Sequence, residues 1–249
     1  MEFEDDAFVL SARPHGDTGV VADLLTEHHG RRLTYVAGGA SRRMKPFLQP
    51  GSRVRAAFRS RDDSQLGSAR LEPRGEDISQ LFDSPLALAG LAAATAVVQG
   101  ALPEREPEPA IFAAMEALMS AFAHDAVWPA VFIRFELGLL ASLGFGLNLD
   151  VCAVSGSTDD LAWVSPRTGR AVSRTEGAPY ADRLLGLPPF LLGNQAAVVE
   201  GDVGLGLALT GHFLEAWVFH PRDKPLPPAR DWMVERLQRS GLLWARSRD

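Results

Sequence analysis

Cysteine is nearly absent from this sequence, which has only Cys152 among its 249 residues. A single thiol excludes an intramolecular disulfide and any metal site built from several thiolates. The N-terminal segment MEFEDDAFVL is acidic where a secretion signal would be basic, and no uninterrupted apolar run approaches the ~20 residues that span a bilayer. These absences predict a cytoplasmic protein with no membrane partner.

Acidic residues are missing from one stretch, residues 31–61, although the whole chain has a formal net charge of −6. The stretch contains nine basic side chains, eight of them arginine: Arg31, Arg32, Arg42, Arg43, Lys45, Arg53, Arg55, Arg59 and Arg61. Arginine presents a planar fork of donors that matches phosphate and a flat face that stacks on bases. The composition favours nucleic acid as the partner, with an ordinary solvated surface as the alternative.

Apolar residues alternate with polar or basic ones on both sides of a loop in this stretch, as they do in half-buried strands. The second of these strands carries Arg53, Arg55 and Arg59 on one face, if no bulge intervenes. The loop between them, GGASRRMKPFLQPG, is rich in Gly, Ser and Pro. Its flexible tip is expected to present three of the cations: Arg42, Arg43 and Lys45.

The N-terminal part of the chain is predicted to form five short strands separated by turns: Asp6–Ala12, Val20–Glu27, Arg31–Ala37, Ser52–Arg61 and Gln65–Glu72. Five such strands suggest a small barrel, and a barrel face with a basic loop is one way to hold a single nucleic-acid strand. His28 and His29 are possible metal ligands, but no third ligand stands at a metal-like spacing in the sequence. We interpret them as part of a hairpin turn.

From Ser84 onwards the pattern becomes helical. Ser84 suits an N-cap and Pro85 suits the first helical position, and further helices are predicted over residues 110–123, 130–146, 202–220 and 229–244. The segment GDVGLG lacks the context of a phosphate loop, so its small residues indicate close helix packing. The last helix is amphipathic, with an apolar stripe made of Trp232, Val234, Leu237 and Leu242. We expect this stripe to dock on its own domain, and docking on a partner is the alternative.

Several strings in a fixed order resemble the bacterial recombination mediator family RecO. They are AFVLSARPHGDTGVVADLLTEHHGR and FLQPG near the N-terminus, then FELGLLASLGFGLNLDVCAVSG, the residues Gly169 to Ser173 and LPPFL. The resemblance implies an α+β multidomain fold with an N-terminal oligonucleotide-binding (OB) barrel over residues 1–79. A mostly α-helical C-terminal domain would follow over residues 80–249, with a zinc-ribbon-like hairpin at residues 150–177.

The resemblance also implies a function in DNA repair and homologous recombination. Proteins of this family bind single- and double-stranded DNA, anneal complementary strands and, with RecR, help to load RecA on DNA coated by the single-strand-binding protein SSB. The resemblance implies no enzymatic activity, no cofactor and a cytoplasmic, nucleoid-associated location. An RNA-binding barrel protein without a recombination role is the alternative. A hydrolase or transferase using Asp159 and Asp160 with His212 or His220 is disfavoured, because no nucleophile accompanies them.

The helical domain of the family holds the acidic, aromatic-ended tail of SSB, and Arg134 in the third predicted helix is our candidate for contacting it. Arg134 lies between apolar residues, so it could join a buried ring to a carboxylate. The alternative is that Arg134 forms a buried ion pair with Glu136 or another acid.

Many members of the family have a four-cysteine zinc site, from which this sequence departs. The matching positions are Cys152, Ser155, Ser173 and Glu176, so one thiolate remains of four. Because serine is not a strong zinc ligand, we predict that this hairpin contains no metal. Packing of Leu161, Trp163 and Val172 is then expected to hold it together. Cys152 is interpreted as a small buried residue, with a reactive thiol as the alternative.

Overall fold

The computed structural model of the chain describes residues 1–62, 65–74, 78–193, 197–199 and 201–241. The chain divides into two compact units, Met1–Ala123 and His124–Asp249. Strands dominate the first unit and helices the second, while the division into domains at residues 79 and 80 stays a prediction. Within the described residues, no helix has the length and apolarity needed to cross a membrane.

Five strands close into a barrel in the order β1-β2-β3-β5-β4, with bounds β1 Glu2–His15, β2 Gly19–Thr26, β3 Arg31–Val36, β4 Arg53–Arg59 and β5 Gly67–Pro73. The neighbouring strands are antiparallel except β3 and β5, which run parallel. Each of the five predicted strands is confirmed, and so is the OB-type barrel.

The barrel closes around side chains that alternate with more exposed ones in β4 and β5, whereas β2 is buried along nearly its whole length. In β4 the buried residues Val54, Ala56 and Phe58 point inward, and the residues between them point outward. Strand β1 is long enough to pair with β4 through residues 2–8 and with β2 through residues 7–15. A register shift between Val9 and Ser11 bends it between the two partners.

Two helices complete the first unit, α1 (Pro85–Ala101) and α2 (Pro109–Ala121), after a 3₁₀ turn at Ile78–Asp83. Ser84 caps α1 as predicted, since its hydroxyl oxygen accepts a hydrogen bond from the Ala87 N–H at 3.1 Å. Helix α2 packs on the outside of the barrel, where the rings of Phe8 and Phe112 lie 5.0 Å apart. A second 3₁₀ turn, Lys45–Leu48, lies in the loop between β3 and β4.

The acidic segment between α1 and α2 lies against the start of β3. Glu104 forms a parallel bridge with Arg31, and the Arg105 N–H donates to the Arg31 carbonyl at 2.9 Å. Gly30 permits this approach, because a Cβ at that position would lie 2.2 Å from the Glu106 carbonyl oxygen. This segment is therefore packed against the barrel.

The second unit contains three longer helices, α3 (Trp128–Ser142), α5 (Asp202–Phe213) and α6 (Pro228–Arg239). Between α3 and α5 lies a three-stranded sheet, ordered β7-β6-β8, made of β6 Leu161–Val164, β7 Ala171–Ser173 and β8 Leu185–Gly186. The second unit also contains shorter helical turns. They are α4 Arg174–Gly177, 3₁₀ turns at Ala178–Arg183, Pro189–Leu191 and His220–Arg222, and a π-helical turn at Leu214–Phe219.

Small residues bring α5 close to α3, as the sequence predicted. A Cβ at Gly206 would lie 2.7 Å from the Ile133 side chain, so only glycine fits there without movement. This contact confirms that GDVGLG is part of a packed helix.

Helix α6 docks on its own unit through Met233 and Leu237, which are fully buried. Docking in cis is therefore confirmed, but the predicted stripe was partly wrong because Trp232 is 63% exposed. Arg230, Met233 and Leu237 recur at the spacing of one helix face, and Trp232 lies off that face. The last predicted member of the stripe, Leu242, lies outside the described residues.

Candidate nucleic-acid interface

The outward face of β4 carries three of the predicted DNA-binding arginines. Arg53, Arg55 and Arg59 alternate with the buried residues of the strand, so the expected shared face is confirmed and no bulge interrupts it. The sequence could not reveal what lies beside this face. Strand β1 pairs with β4 and places acidic side chains directly opposite the arginines, with Glu2 opposite Arg59 and Asp6 opposite Arg55.

Most of the charge on this β4 face is neutralised across the strands. Arg55 Nη1 lies 3.0 Å from Asp6 Oδ1, and Arg59 Nε lies 3.4 Å from Glu2 Oε1. Arg53 lies 3.4 Å from Asp6 and also pairs with Glu116 of α2. The face is therefore an ion-pair ladder, although Arg59 remains 77% exposed.

Arg31 holds the first unit together from within. Its side chain is 13% exposed, and Nε lies 3.3 Å from Asp23 Oδ1. Nη1 donates to the Leu102 carbonyl at 3.0 Å and to the Gln99 carbonyl, which places the guanidinium at the C-terminal end of α1. Burial raises the pKa of Asp23, and the Arg31 charge opposes that increase. Arg31 is thus engaged by protein groups on several sides.

Arg32 is half-buried at the edge of a small aromatic cluster. Its Nε donates to the His29 carbonyl at 3.0 Å, and its guanidinium lies 5.3 Å from the centre of the Phe3 ring. Phe3 in turn stacks on His29 at 3.7 Å and on Phe58 at 4.8 Å. These contacts give Arg32 a packing role in addition to its charge.

The loop between β3 and β4 presents the accessible positive charge. Arg42, Arg43 and Lys45 are exposed, as is Arg61 after β4, and none of the four has an ion pair within the part of the chain that the structure describes. We call the three loop residues the basic cluster; Arg61 follows the other end of β4. The loop is anchored at its base, because Leu48 is buried in the barrel core and the Ala40 N–H donates to Thr18 at 3.0 Å.

Another part of the barrel surface offers aromatic and basic groups together. Tyr35 of β3 and His15 of β1 approach edge to face, with ring centres 5.9 Å apart, and Arg13 is exposed on the same strand as His15. Tyr35 lies across Gly19, where a Cβ would be 2.3 Å from the ring. Arg13 also lines a cleft of about 460 Å³, together with Asp23 and Leu33.

Arg13 and His15 were not predicted from the sequence, because they lie outside the acid-free stretch of residues 31–61. Their spacing of two along β1 is the signal that could have found them, since it places both on one face.

The predicted turn at His28 and His29 is confirmed, since both residues lie between the antiparallel strands β2 and β3. The structure adds Asp5, a buried residue of β1, between the two imidazoles. Asp5 Oδ1 lies 3.1 Å from His28 Nδ1, and Asp5 Oδ2 lies 2.7 Å from His29 Nδ1. Burial raises the pKa of Asp5, but the hydrogen bonds from His29 and His28 outweigh this effect and lower it.

In the second unit, Arg134 is exposed on α3 and lies against Phe190. Nη2 donates to the Phe190 carbonyl at 2.7 Å, and the guanidinium lies 5.8 Å from the ring centre. The alternative of a pair between Arg134 and Glu136 was wrong. Glu136 is fully buried and pairs with Arg230 at 2.7 Å, because residues two apart on a helix face in different directions.

Cys152 is buried, as the sequence predicted, and is enclosed by the hairpin's serines. Its sulfur accepts a hydrogen bond from the Ser173 N–H at 3.3 Å and lies 3.6 Å from the Ser173 hydroxyl. Burial raises the pKa of the thiol, but hydrogen bonds from Ser155 and Ser173 outweigh it and bring the pKa to about 6. Of the three residues predicted to hold the hairpin, Leu161 and Val172 are buried and Trp163 is half-buried.

We expect Cys152→Ser to lower the free energy of unfolding by only about 1 kcal/mol, the scale of one altered buried contact. A structural zinc site would contribute on the order of 10 kcal/mol, so losing its only thiolate would unfold the hairpin. Urea unfolding of both proteins with and without a chelator measures the difference. A loss of several kcal/mol in the variant, reproduced by chelator in the unmodified chain, would contradict the prediction.

Two family models match the chain: Recombination protein O N terminal over residues 1–72 and Recombination protein O C terminal over residues 83–225. The chain is 64% identical over 243 residues to the DNA repair protein RecO of Phenylobacterium zucineum, covering 98% of this chain and all of the relative. It is 60% identical to the DNA repair protein RecO of Caulobacter sp. strain K31, with the same coverage. The DNA repair protein RecO of Rhodospirillum centenum is 51% identical, with 96% of each chain covered.

Proposed function

The chain belongs to the RecO family of DNA-repair proteins, and we propose from this premise that it acts as a mediator of homologous recombination. It binds single- and double-stranded DNA, anneals complementary strands and, together with RecR, helps to load RecA on SSB-coated DNA. It acts by binding and needs no cofactor. Its location is cytoplasmic, in association with the nucleoid.

The observation that carries the DNA-binding part of this proposal is the exposed basic cluster on the barrel. Charges that are not paired within the described chain are available to phosphates, and phosphate contacts supply most of the affinity for single strands. Tyr35, His15 and Arg13 offer stacking and a further cation on the barrel surface. The paired arginines of β4 and the enclosed Arg31 contribute less, because their charges are already compensated.

Two of the possible catalytic residues, Asp160 and His212, have ordinary structural partners. Asp160 forms an ion pair with Arg174 at 3.2 Å, and His212 Nε2 lies 3.1 Å from the Pro166 carbonyl oxygen. These contacts support a protein that works by binding rather than by chemistry.

Strand annealing tests the proposed function directly. Complementary oligonucleotides coated with SSB should anneal many times faster with the protein than without it, because a mediator must gain access to coated strands. Annealing of uncoated strands and of RNA strands of equal length serves as comparison. No acceleration on coated DNA would overturn the mediator role, and faster annealing of RNA than of DNA would favour the RNA-binding alternative.

Arg134 and Phe190 are the features of the second unit that we propose for the SSB tail. The exposed guanidinium, held by the buried Phe190, can meet the tail's carboxylates, and an apolar pocket for the tail's terminal ring would add about 2 kcal/mol. We therefore assign the helical part of the chain to protein partners rather than to DNA. RecR and RecA, the latter indirectly, complete the proposed partners.

We expect a peptide of the SSB tail to bind the full chain with a Kd on the order of micromolar, and Arg134→Ala to weaken it at least several-fold. Arg167→Ala is the matched control, since Arg167 is exposed in the turn between β6 and β7. Fluorescence anisotropy of a labelled peptide measures the affinities. Equal affinity for the Arg134 and Arg167 variants would show that the tail binds elsewhere.

A further inference from the structure

Asp5, Glu27 and His28 bring three metal-binding groups together where β1 meets the turn between β2 and β3. An oxygen of Asp5, an oxygen of Glu27 and a ring nitrogen of His28 all lie within 4.8 Å of one another. We propose that these residues form a binding site for a divalent transition-metal ion of the zinc class. The site is independent of the proposed DNA-binding function and of the cysteine hairpin.

Asp5 is held in place as a ligand would need to be. It is 2% exposed, and its two oxygens accept hydrogen bonds from the Asp6 and His28 backbone N–H groups, each at 2.9 Å. His29 supports the same carboxylate from the other side at 2.7 Å, and its ring is fixed by stacking on Phe3 at 3.7 Å. Support of this kind orients a carboxylate toward a metal.

The other two groups are accessible and able to adjust. His28 is 65% exposed and Glu27 is 38% exposed, and His28 Nε2 lies 3.9 Å from Glu27 Oε1, too far for a hydrogen bond. Two carboxylates therefore lie close to one imidazole, and within the described residues no cationic side chain forms a bond with all three groups. A bound dication would offset their repulsion, and small rotations of exposed side chains would bring the ligands to bonding distance.

The ligand types select the class of metal. One imidazole nitrogen and two carboxylate oxygens suit borderline ions such as Zn²⁺ and Co²⁺, whereas Mg²⁺ and Ca²⁺ prefer oxygen ligands alone. Three protein ligands leave a coordination position that solvent can reach. Because the ligands come from β1 and from the β2–β3 turn, the ion would tie these barrel elements together and raise the melting temperature.

The test uses the full chain with Cys152→Ser, so that the thiol cannot bind metal, after removal of metals by a chelator. We expect Zn²⁺ to raise the melting temperature saturably at one ion per chain, and Co²⁺ to give a visible absorption spectrum at the same stoichiometry. Glu27→Gln and His28→Gln should each weaken binding at least about tenfold, since each removes one of three ligands. His124→Gln, at an exposed histidine, should bind like the parent.

Either of two results would overturn the proposal. One is the absence of saturable binding of Zn²⁺ and Co²⁺ by the Cys152→Ser chain. The other is equal affinity in the Glu27, His28 and His124 variants, which would leave the cluster as a hydrogen-bonded clamp of the turn. Melting temperatures measured without metal show whether each variant is folded, so a loss of binding cannot be mistaken for unfolding.

Discussion

Replacing Arg42, Arg43 and Lys45 by glutamate is expected to remove most binding to single-stranded DNA and to leave the melting temperature nearly unchanged. The three side chains are exposed on an anchored loop and form no ion pair in the described chain, so reversing them breaks no contact of the fold. Exposed substitutions of this kind usually change stability by less than about 0.5 kcal/mol. Their effect on phosphate attraction is large because three favourable charges become repulsive.

The salt dependence of binding provides the quantitative measure. If the basic cluster, Arg59 and Arg61 each contact a phosphate, the log–log slope of affinity against salt should be roughly −3.5, at ~0.7 per contact. The triple variant, with two of these contacts left, should retain a slope of roughly −1.4 or weaker. Fluorescence anisotropy with a labelled oligonucleotide at several salt concentrations gives both slopes.

A control with the same change in net charge separates a local site from a general charge effect. Arg167, Arg170 and Lys224 are exposed in the second unit, and reversing them to glutamate changes the net charge by the same amount. We expect this control to bind DNA nearly as well as the unmodified chain. An equal loss in both variants, or unchanged binding in the loop variant, would move the DNA site away from the β3–β4 loop.

The barrel could be predicted from the sequence because its signals are local. Strands β4 and β5 alternate buried and more exposed residues over a few positions, and turns such as His28–Gly30 separate neighbouring strands. The start of α1 was equally readable, since Ser84 and Pro85 fix the first turn by themselves. The boundaries differ by a few residues, most visibly in β1, which extends on both sides of its predicted apolar part.

The candidate site was harder to predict because compensation between charges is non-local. Arg31 belongs to the basic stretch in the sequence, but its partners at Gln99, Leu102 and Glu104 lie about 70 residues away. The arginines of β4 face acids of β1 some 50 residues earlier. Counting charges within a short stretch of sequence cannot find these distant partners, since only the folded chain brings them together.

The same distance in sequence explains why the contact of Asp5 with the two histidines could not be predicted. Glu27 adjoins His28 in the sequence, but Asp5, the group that the fold adds to them, is 23 residues from His28. The pairing of β1 with β2 places it there.

A pair still more distant in the sequence, Glu136 and Arg230, fastens α6 to the rest of the second unit. Both side chains are buried, with Arg230 Nε 2.7 Å from Glu136 Oε1 and Nη2 2.8 Å from the Leu207 carbonyl oxygen. The Thr210 hydroxyl donates to the same carboxylate at 2.5 Å. Burial lowers the pKa of Arg230, but the charge of Glu136 and the hydrogen bond to it outweigh burial and raise that pKa, so the guanidinium stays charged.

We expect Arg230→Met to lower the free energy of unfolding by about 3–5 kcal/mol, because it leaves Glu136 buried without its cation. In a chain of this size the melting temperature should fall by roughly 10 °C. Arg236→Met, at an exposed position of the same helix, should change stability by less than about 0.5 kcal/mol. Adding Glu136→Leu to Arg230→Met should recover much of the loss, since apolar replacements of both partners are often nearly neutral. Thermal and urea unfolding of these variants measures each value, and an Arg230 variant as stable as the Arg236 variant would show that the buried pair does not fasten α6.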